Sequence, residues 1–572
     1  MTYNDGIILW IFGMLPIFGV IFFYILKSRT GNNNNIHATI VLIAFFLLLL
    51  YTRRLTLMMP YPLNPDEAQY VAQAMLFLKH PIPWTHVDTT TGGPIGTYAI
   101  LIPKMFGFSP SYFWARIVAI LLIWGSCFYC FKILRVFLSN QWAFITTLAP
   151  VLFWTFPSHP DYAHYSSELV PVFLITSSLY YLTSAYQQEE RFRRTLASIA
   201  IASLVPFGKL QAIVIAFPIA MTAIWYCYKN NDYRQFVRKA PFLLLAGIVF
   251  PFLILAPVVL SHGWSDFVHS YIYLAFEYGS PKFLLKSFLK NSLFRSPTAY
   301  LITVLQLSLV TLYYTISLIG KHKNHSEGKS GISIYHFVKW PFIPLIITFV
   351  ASLFSIYKPG TGFPHYWQFI IIPSALISGW ILSCFSNLEH YWISKMPIFA
   401  LLLSFGTSRV WYSFFLFSIN TNSPRECDWA GQHANDEHAI NVIEYINTNK
   451  NPNDTMTVWG WLPDLYVQTG LIAGTREVCT QHIIPEADRA YPYIVFSDDY
   501  QIYFQNRFMN DIKNSNPTFI VDACYPDGFM FYDRSFSPES FPPLMSFIDN
   551  SYILTYDSST IEQNGIRVWK KK

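Results

Sequence analysis

Two carboxylates stand side by side in "NPDEAQYVAQAM", residues 64–75. Asn64 suits a helix N-cap, Pro65 suits the first helical position, and Glu67 falls where a capping-box acid reaches back. Capping accounts for Glu67 but leaves Asp66 over, because adjacent helical residues point about 100° apart. Asp66 is therefore the first candidate for a general base. A second polar stretch, "SHPDYAHYSSE" (158–168), gathers His159, Asp161, His164 and Glu168 between two apolar runs. Ionisable groups at membrane depth are costly, which makes them functional candidates. Cations come from Arg116 at the start of an apolar run, from Lys209 in "PFGKLQ" (206–211), and from Lys358 and His365 around "PGTGFP". Acids and cations gathered at one lipid–water boundary suit a lipid-phosphate substrate. The cations would hold the phosphate as it leaves, and one acid would take a proton from an acceptor hydroxyl. A helix N-terminus weakens a carboxylate as a base; burial or a divalent ion would offset that.

Positioning these residues requires a membrane scaffold. Of 572 residues, 53% are hydrophobic and only 13% charged, against roughly 25% charged in soluble domains. Mean hydropathy is +0.32. Fifty Phe, 37 Tyr and 17 Trp supply interfacial aromatics, and no basic stretch interleaved with aromatics points to nucleic acid. The first apolar run, 7–26, lacks a basic leader and a small-residue cleavage site, so it is read as a membrane helix. Further runs of spanning length lie at 37–52, 112–134, 141–156, 167–186, 241–260, 298–319, 341–357, 367–385 and 397–418, and 195–227 reads as a hairpin broken at 206–211. The expectation is about twelve spans. Lys and Arg fall in alternate short loops, which places that side in the cytoplasm and the acids on the opposite face. Arg53 and Arg54 are the exception. Ala68, Val71, Ala72, Met75 and Leu76 make an apolar stripe, so the helix after Asn64 is expected to lie in the membrane interface.

After residue 418 the character changes. A helix from Asp436 to Asn447, buried strands at 455–461 and 517–523, and two terminal strands within 551–569 predict a small α/β domain. Residues 1–418 are thus expected to form the polytopic membrane domain and 419–572 an extracytoplasmic α/β domain. Cys427, Cys479 and Cys524 lie there, enough for one disulfide of undeducible pairing.

These motifs, in this order and on one side, resemble the polyprenyl-phosphate-sugar-dependent glycosyltransferases of the C-type membrane fold. The nearest likenesses are the protein O-mannosyltransferases and the lipid A aminoarabinose transferase. The acidic motif of the first large outer loop matches Asp66 and Glu67, and "GGPIGTYAILIPKMFGFSPSYFWAR" (92–116) matches the second interfacial helix and the span opening near Arg116. Asp161 matches the acid of the next outer loop, and "PGTGFPHY" (359–366) matches a late motif in which members carry Arg where this chain has Thr361. An added first span and a small tail depart from the eukaryotic members. The resemblance implies an all-α polytopic fold with inverting transfer of a sugar from a polyprenyl-phosphate donor to an acceptor glycan, lipid or protein, outside the cytoplasm of a bacterial inner membrane. It implies Asp66, Glu67 and Asp161 as catalytic residues, and Lys209, Lys358, His365 and Arg116 as donor-phosphate ligands. Trp84 of "HPIPWTH" (80–86), Tyr366, His164 and Glu168 are the candidate substrate contacts. No cofactor is implied with certainty, and a divalent metal ion near Asp161, His159 and His164 stays open. A flippase or transporter for lipid-linked saccharides would show internal repeats and mid-membrane charges, and a polymerase or ligase a large late outer loop.

Overall fold

The computed structural model describes residues 3–27, 35–157, 159–185, 191–277, 342–360, 362–385, 436–490, 497–526, 528, 531–559 and 565–572. The runs 298–319 and 397–418, and Cys427, lie outside the described residues. Helices fill the remaining apolar runs: Tyr3–Lys27, Asn35–Thr52, Tyr112–Leu134, Asn140–Thr155, Leu169–Ala185, Arg191–Gly208, Ile213–Lys229, Tyr233–Leu260, Phe342–Tyr357 and Gln368–Phe385. Among the described residues, four helical stretches are long and apolar enough to cross a membrane: Tyr112–Leu134, Leu210–Lys229, Tyr233–Leu260 and Pro364–Ser383. The last is the most deeply buried and packs against Asn140–Thr155 and Tyr112–Leu134. By contrast, Tyr233–Leu260 leaves Phe252, Leu253 and Leu260 exposed, as a lipid-facing helix does. It begins two turns before its apolar run because Asp232 caps it, accepting from Gln235 N at 2.7 Å; Arg234, Arg238 and Lys239 then extend it past the greasy stretch.

The hairpin breaks where expected. Extended backbone at Lys209 (φ −163°) separates Arg191–Gly208 from Ile213–Lys229. Gln211 Nε2 donates to Ser355 O at 2.6 Å and Ser355 Oγ to Gln211 O at 3.2 Å, pinning the break to Phe342–Tyr357.

The C-terminal unit holds a five-stranded sheet of order β2-β1-β3-β5-β4. β1 (Thr455–Trp459) runs parallel to β2 (Ile472–Ala473) and β3 (Phe519–Asp522), whereas β5 (Arg567–Lys571) is antiparallel to β3 and to β4 (Tyr552–Asp557). Side chains alternate across it with the strand period. Met456, Val458 and Val521 enter one apolar layer; Trp459 and Ile520 enter the other. Cys479 and Cys524 are both buried free thiols.

One expectation is corrected here. The helix Pro65–Phe77 does not lie with an open face on the interface. Ala68, Val71 and Ala74 pack into the core of the helical bundle. Ala72, Leu76 and Phe77 pack into the C-terminal unit with Val442, Leu465 and Val478. Periodicity reports an apolar face but not what covers it.

Candidate functional site

Asn64 starts the acid helix, its Oδ1 accepting from Asp66 N at 2.9 Å. Glu67, one residue on, is wholly buried. Its carboxylate takes a bidentate bond from Arg116, Nε to Oε1 at 2.9 Å and Nη2 to Oε2 at 2.7 Å. It also accepts from Leu63 N (3.0 Å) and Tyr165 N (3.1 Å). Burial works against the Glu67 charge, but the Arg116 guanidinium outweighs it and holds the carboxyl below the ordinary range. The remaining Arg116 N–H groups go to the carbonyls of Thr56 (2.5 Å), Met59 (2.8 Å) and Tyr61 (2.7 Å). All five donors are used. The pair locks the acid helix in rotation, and the helical offset then turns Asp66 the other way.

Asp66 is half-buried, and among the described residues nothing hydrogen-bonds its carboxylate. Burial raises its pKa above the ordinary aspartate value; His365, His164 and Lys209 pull it down less than burial pushes, and Asp161 adds to the rise. The offset to the helix N-terminus that a base at this position needs is therefore present.

Asp161 is held from three sides. Asn64 Nδ2 donates to Oδ1 at 2.9 Å, His365 Nδ1 lies 3.0 Å from Oδ2, and His159 Nδ1 lies 3.5 Å from Oδ1. Burial opposes its charge, yet the bonds to His159 and His365 keep the carboxyl well below the usual range. Asp161 is thus a fixed anion and Asp66 the poised one. Asn64 links them, capping the helix with its oxygen and holding Asp161 with its nitrogen.

Lys209 is buried beside them. Its Nζ donates to Ser167 Oγ at 2.7 Å and forms a close ion pair with Glu168, and it sits 4.6 Å above the Tyr366 ring. Burial would raise the Glu168 carboxyl, but Lys209 and His365 bring it down to about 2. His164 is buried, with Nδ1 3.1 Å from Pro160 O. Lys209 also lines a cavity of about 180 Å³ with Lys358, Tyr366, Thr91, Gln211 and Phe354. Lys358 stands exposed at its rim. A second, wholly apolar groove shares Val214 and Phe354 with this cavity and continues along Ile346, Val350 and Ala351. The described site therefore has a cationic end and an apolar end.

The structure brings Asp66, Asp161, His164, Glu168, Lys209, His365 and Tyr366 together, with Lys358 across the cavity. Two readings are corrected. Arg116 has no donor left for a phosphate. Trp84 is fully buried in an apolar cluster, its ring 4.7 Å from Phe267 and 5.1 Å from Tyr271, where no sugar reaches. Sequence reasoning passed over Gln368, whose amide bridges Trp154 Nε1 (3.0 Å) and Ser166 Oγ (2.7 Å) to hold the Asp161 loop; an amide opening an apolar span was the available signal. It also passed over Asp88, discussed below. As for a metal, both Asp161 oxygens already accept bonds and His164 faces a carbonyl; among the described residues no three His, Cys, Asp or Glu side chains gather as an ion requires.

The arrangement of the helices has a precedent. ArnT from Cupriavidus metallidurans, solved bound to undecaprenyl phosphate, matches with a TM-score of 0.53 over 92% of this chain and 97% of its own, at 12% identity. An oligosaccharyltransferase from Archaeoglobus fulgidus in the apo form matches 93% of this chain and 74% of its own at 10% identity, with a TM-score of 0.46. No family model and no curated protein sequence matches the chain. The chain has the C-type glycosyltransferase (GT-C) membrane fold. The resemblance to the lipid A aminoarabinose transferase holds at that level.

Proposed function

We propose that this chain is an inverting glycosyltransferase that moves a sugar from a polyprenyl phosphate to an acceptor hydroxyl or phosphate on the extracytoplasmic face of a bacterial inner membrane. The observation that carries the reading is the unbonded, half-buried Asp66 carboxylate, within electrostatic reach of Asp161, His365 and Lys209, beside a cavity that Lys209 and Lys358 line and that leads into an apolar groove. With a hydroxyl acceptor, Asp66 takes its proton as the acceptor oxygen attacks the anomeric carbon. The bond from that carbon to the donor phosphate oxygen breaks, and the phosphate leaves with the electron pair. Lys209 and Lys358 hold that phosphate and offset its added charge, while the isoprenoid lies along the groove lined by Val214, Ile346 and Val350. Asp161, fixed as an anion by Asn64 and His365, orients the acceptor. Attack opposite the leaving group inverts the anomeric centre.

The proposed architecture has about twelve spans, with residues 1–418 as the membrane domain and 419–572 as an extracytoplasmic domain. One support comes from the exception in the charge count. Arg53 is buried, donating to the carbonyls of Trp154 (3.0 Å), Tyr162 (2.5 Å) and Ala163 (3.2 Å). It serves to hold the Asp161 loop and is not a topology signal.

The test is release of radiolabelled sugar from an undecaprenyl-phosphate sugar in membranes carrying the protein and cell-envelope acceptors. Release that depends on Asp66 supports transfer. Movement of the intact labelled lipid across the bilayer with no release would replace it with a flippase.

A further inference from the structure

We propose that Arg507, on the C-terminal unit, is a positioning residue for the substrate cavity, holding the loop "DTTTGG" (88–93) through the Asp88 carboxylate. Arg507 lies on the helix Asp498–Ser515 and is only 7% exposed. Its Nη2 pairs closely with Asp88 Oδ2 and donates to Glu477 Oε1 at 2.7 Å; Nε reaches the same Glu477 oxygen at 3.0 Å. Nη1 donates to Ser270 Oγ at 2.6 Å and to Asp266 Oδ1 at 3.5 Å. One planar fork thus joins four chain segments, something a lysine ammonium cannot do.

Asp88 passes this hold to the loop. Its Oδ1 accepts from Thr90 N at 2.8 Å, its Oδ2 from Ser270 Oγ at 2.8 Å, and its own N–H donates to Arg476 O at 2.9 Å. The loop needs holding. Thr90 sits at φ +52°, a conformation that a β-branched residue adopts only under constraint. Gly93 sits at φ +67°, and a Cβ there would meet Phe207 O at 2.3 Å, so only glycine fits. Phe207 lies two residues before Lys209. Thr90 Oγ1 also accepts from Gln69 Nε2 of the acid helix at 3.0 Å, and Thr91 lines the cavity. The strained loop is wedged between the acid helix and the lysine turn, and its far anchor is a side chain of the C-terminal unit. A buried ion network adds little net stability over apolar packing but can fix one arrangement. On this account the C-terminal unit completes the substrate site.

The inference rests on the proposed donor only for its ligand readout. The test is hydrogen exchange on the full-length protein in nanodiscs, with undecaprenyl phosphate as the binding probe. Arg507→Gln is expected to speed exchange at the Thr90 and Gly92 amides by about tenfold or more while β1 and β3 stay protected. It is also expected to weaken undecaprenyl phosphate binding by about fivefold, with Arg507→Lys in between. Asp88→Asn, which leaves the Arg507–Glu477 bonds in place, should loosen the same two amides and decides the matter if Arg507→Gln fails to fold. Unchanged loop exchange in a folded Arg507→Gln or Asp88→Asn protein overturns the inference. If the loop loosens but even the wild type fails to bind the probe, the positioning role stands and the donor assignment falls.

Discussion

The site around Asp66 and the seam around Arg507 use the same kinds of side chain, carboxylates set against buried cations, and they differ in whether a carboxylate is left with no bond at all. At the seam, every Arg507 N–H has a partner, among them the carboxylates of Glu477, Asp88 and Asp266. The site includes Asp66, a carboxylate that nothing among the described residues bonds. Glu67 and Arg116 repeat the seam's pattern one residue away from Asp66. Bonded carboxylates fix backbone positions; Asp66, with neither oxygen bonded, is the one left open to a substrate proton. Residue type does not separate the two classes; Asp66 differs in having no partner and in being half-buried where Glu67, Asp88 and Glu477 are buried.

The sharpest way to break this comparison is Asp66→Asn. Loss of a general base removes roughly 10²–10⁴ of the rate, and because no protein bond is lost, the melting temperature should stay at the wild-type value. Arg116→Met should do the reverse, since it leaves Glu67 buried and unpaired, a cost of about 3–5 kcal/mol, read as a fall in thermal stability. Adding Glu67→Leu should restore only part of it, because the carbonyls of Thr56, Met59 and Tyr61 stay without their donor.

Smaller effects sharpen the contrast. Lys209→Met should weaken undecaprenyl phosphate binding by about tenfold, and the orphaned Glu168 should add a stability loss that Glu168→Gln relieves. A pH profile tests the poised acid. The base must be ionised to act, and burial raises the Asp66 pKa. The acid limb of kcat/KM should therefore fall away above the ordinary aspartate range, while Asp161, held low, stays ionised throughout.

The smallest effect concerns Glu477. Burial, opposed by Arg507, pushes its pKa up from 4.5 to about 7. Its proton is bound more tightly in the folded state, so the stability it contributes is fully present below about pH 4.5 and lost as pH rises through 7. Glu477→Gln should flatten the melting temperature across that window; an unchanged slope would place the titrating group elsewhere.

Much of this was legible in the sequence for physical reasons. Apolar runs located the helices because length and hydropathy are local properties. The Asn64–Pro65 cap, the break at Lys209 and the alternating strands around Met456 and Phe519 follow from local backbone chemistry. Pairings across the chain were not legible. Arg116 has the right chemistry for phosphate, but its position relative to Glu67 uses every donor. Trp84 read as a candidate substrate contact because nothing local reveals Phe267 and Tyr271 closing over it. Arg507 and Asp88, separated by hundreds of residues, gave no common signal. The acid helix read as lying on lipid because an apolar stripe does not name its partner.

The most direct test compares purified wild type with Asp66→Asn at equal thermal stability, measuring both undecaprenyl phosphate affinity and turnover of an undecaprenyl-phosphate sugar. The account predicts unchanged affinity with turnover lost. Turnover at the wild-type rate in Asp66→Asn would contradict it.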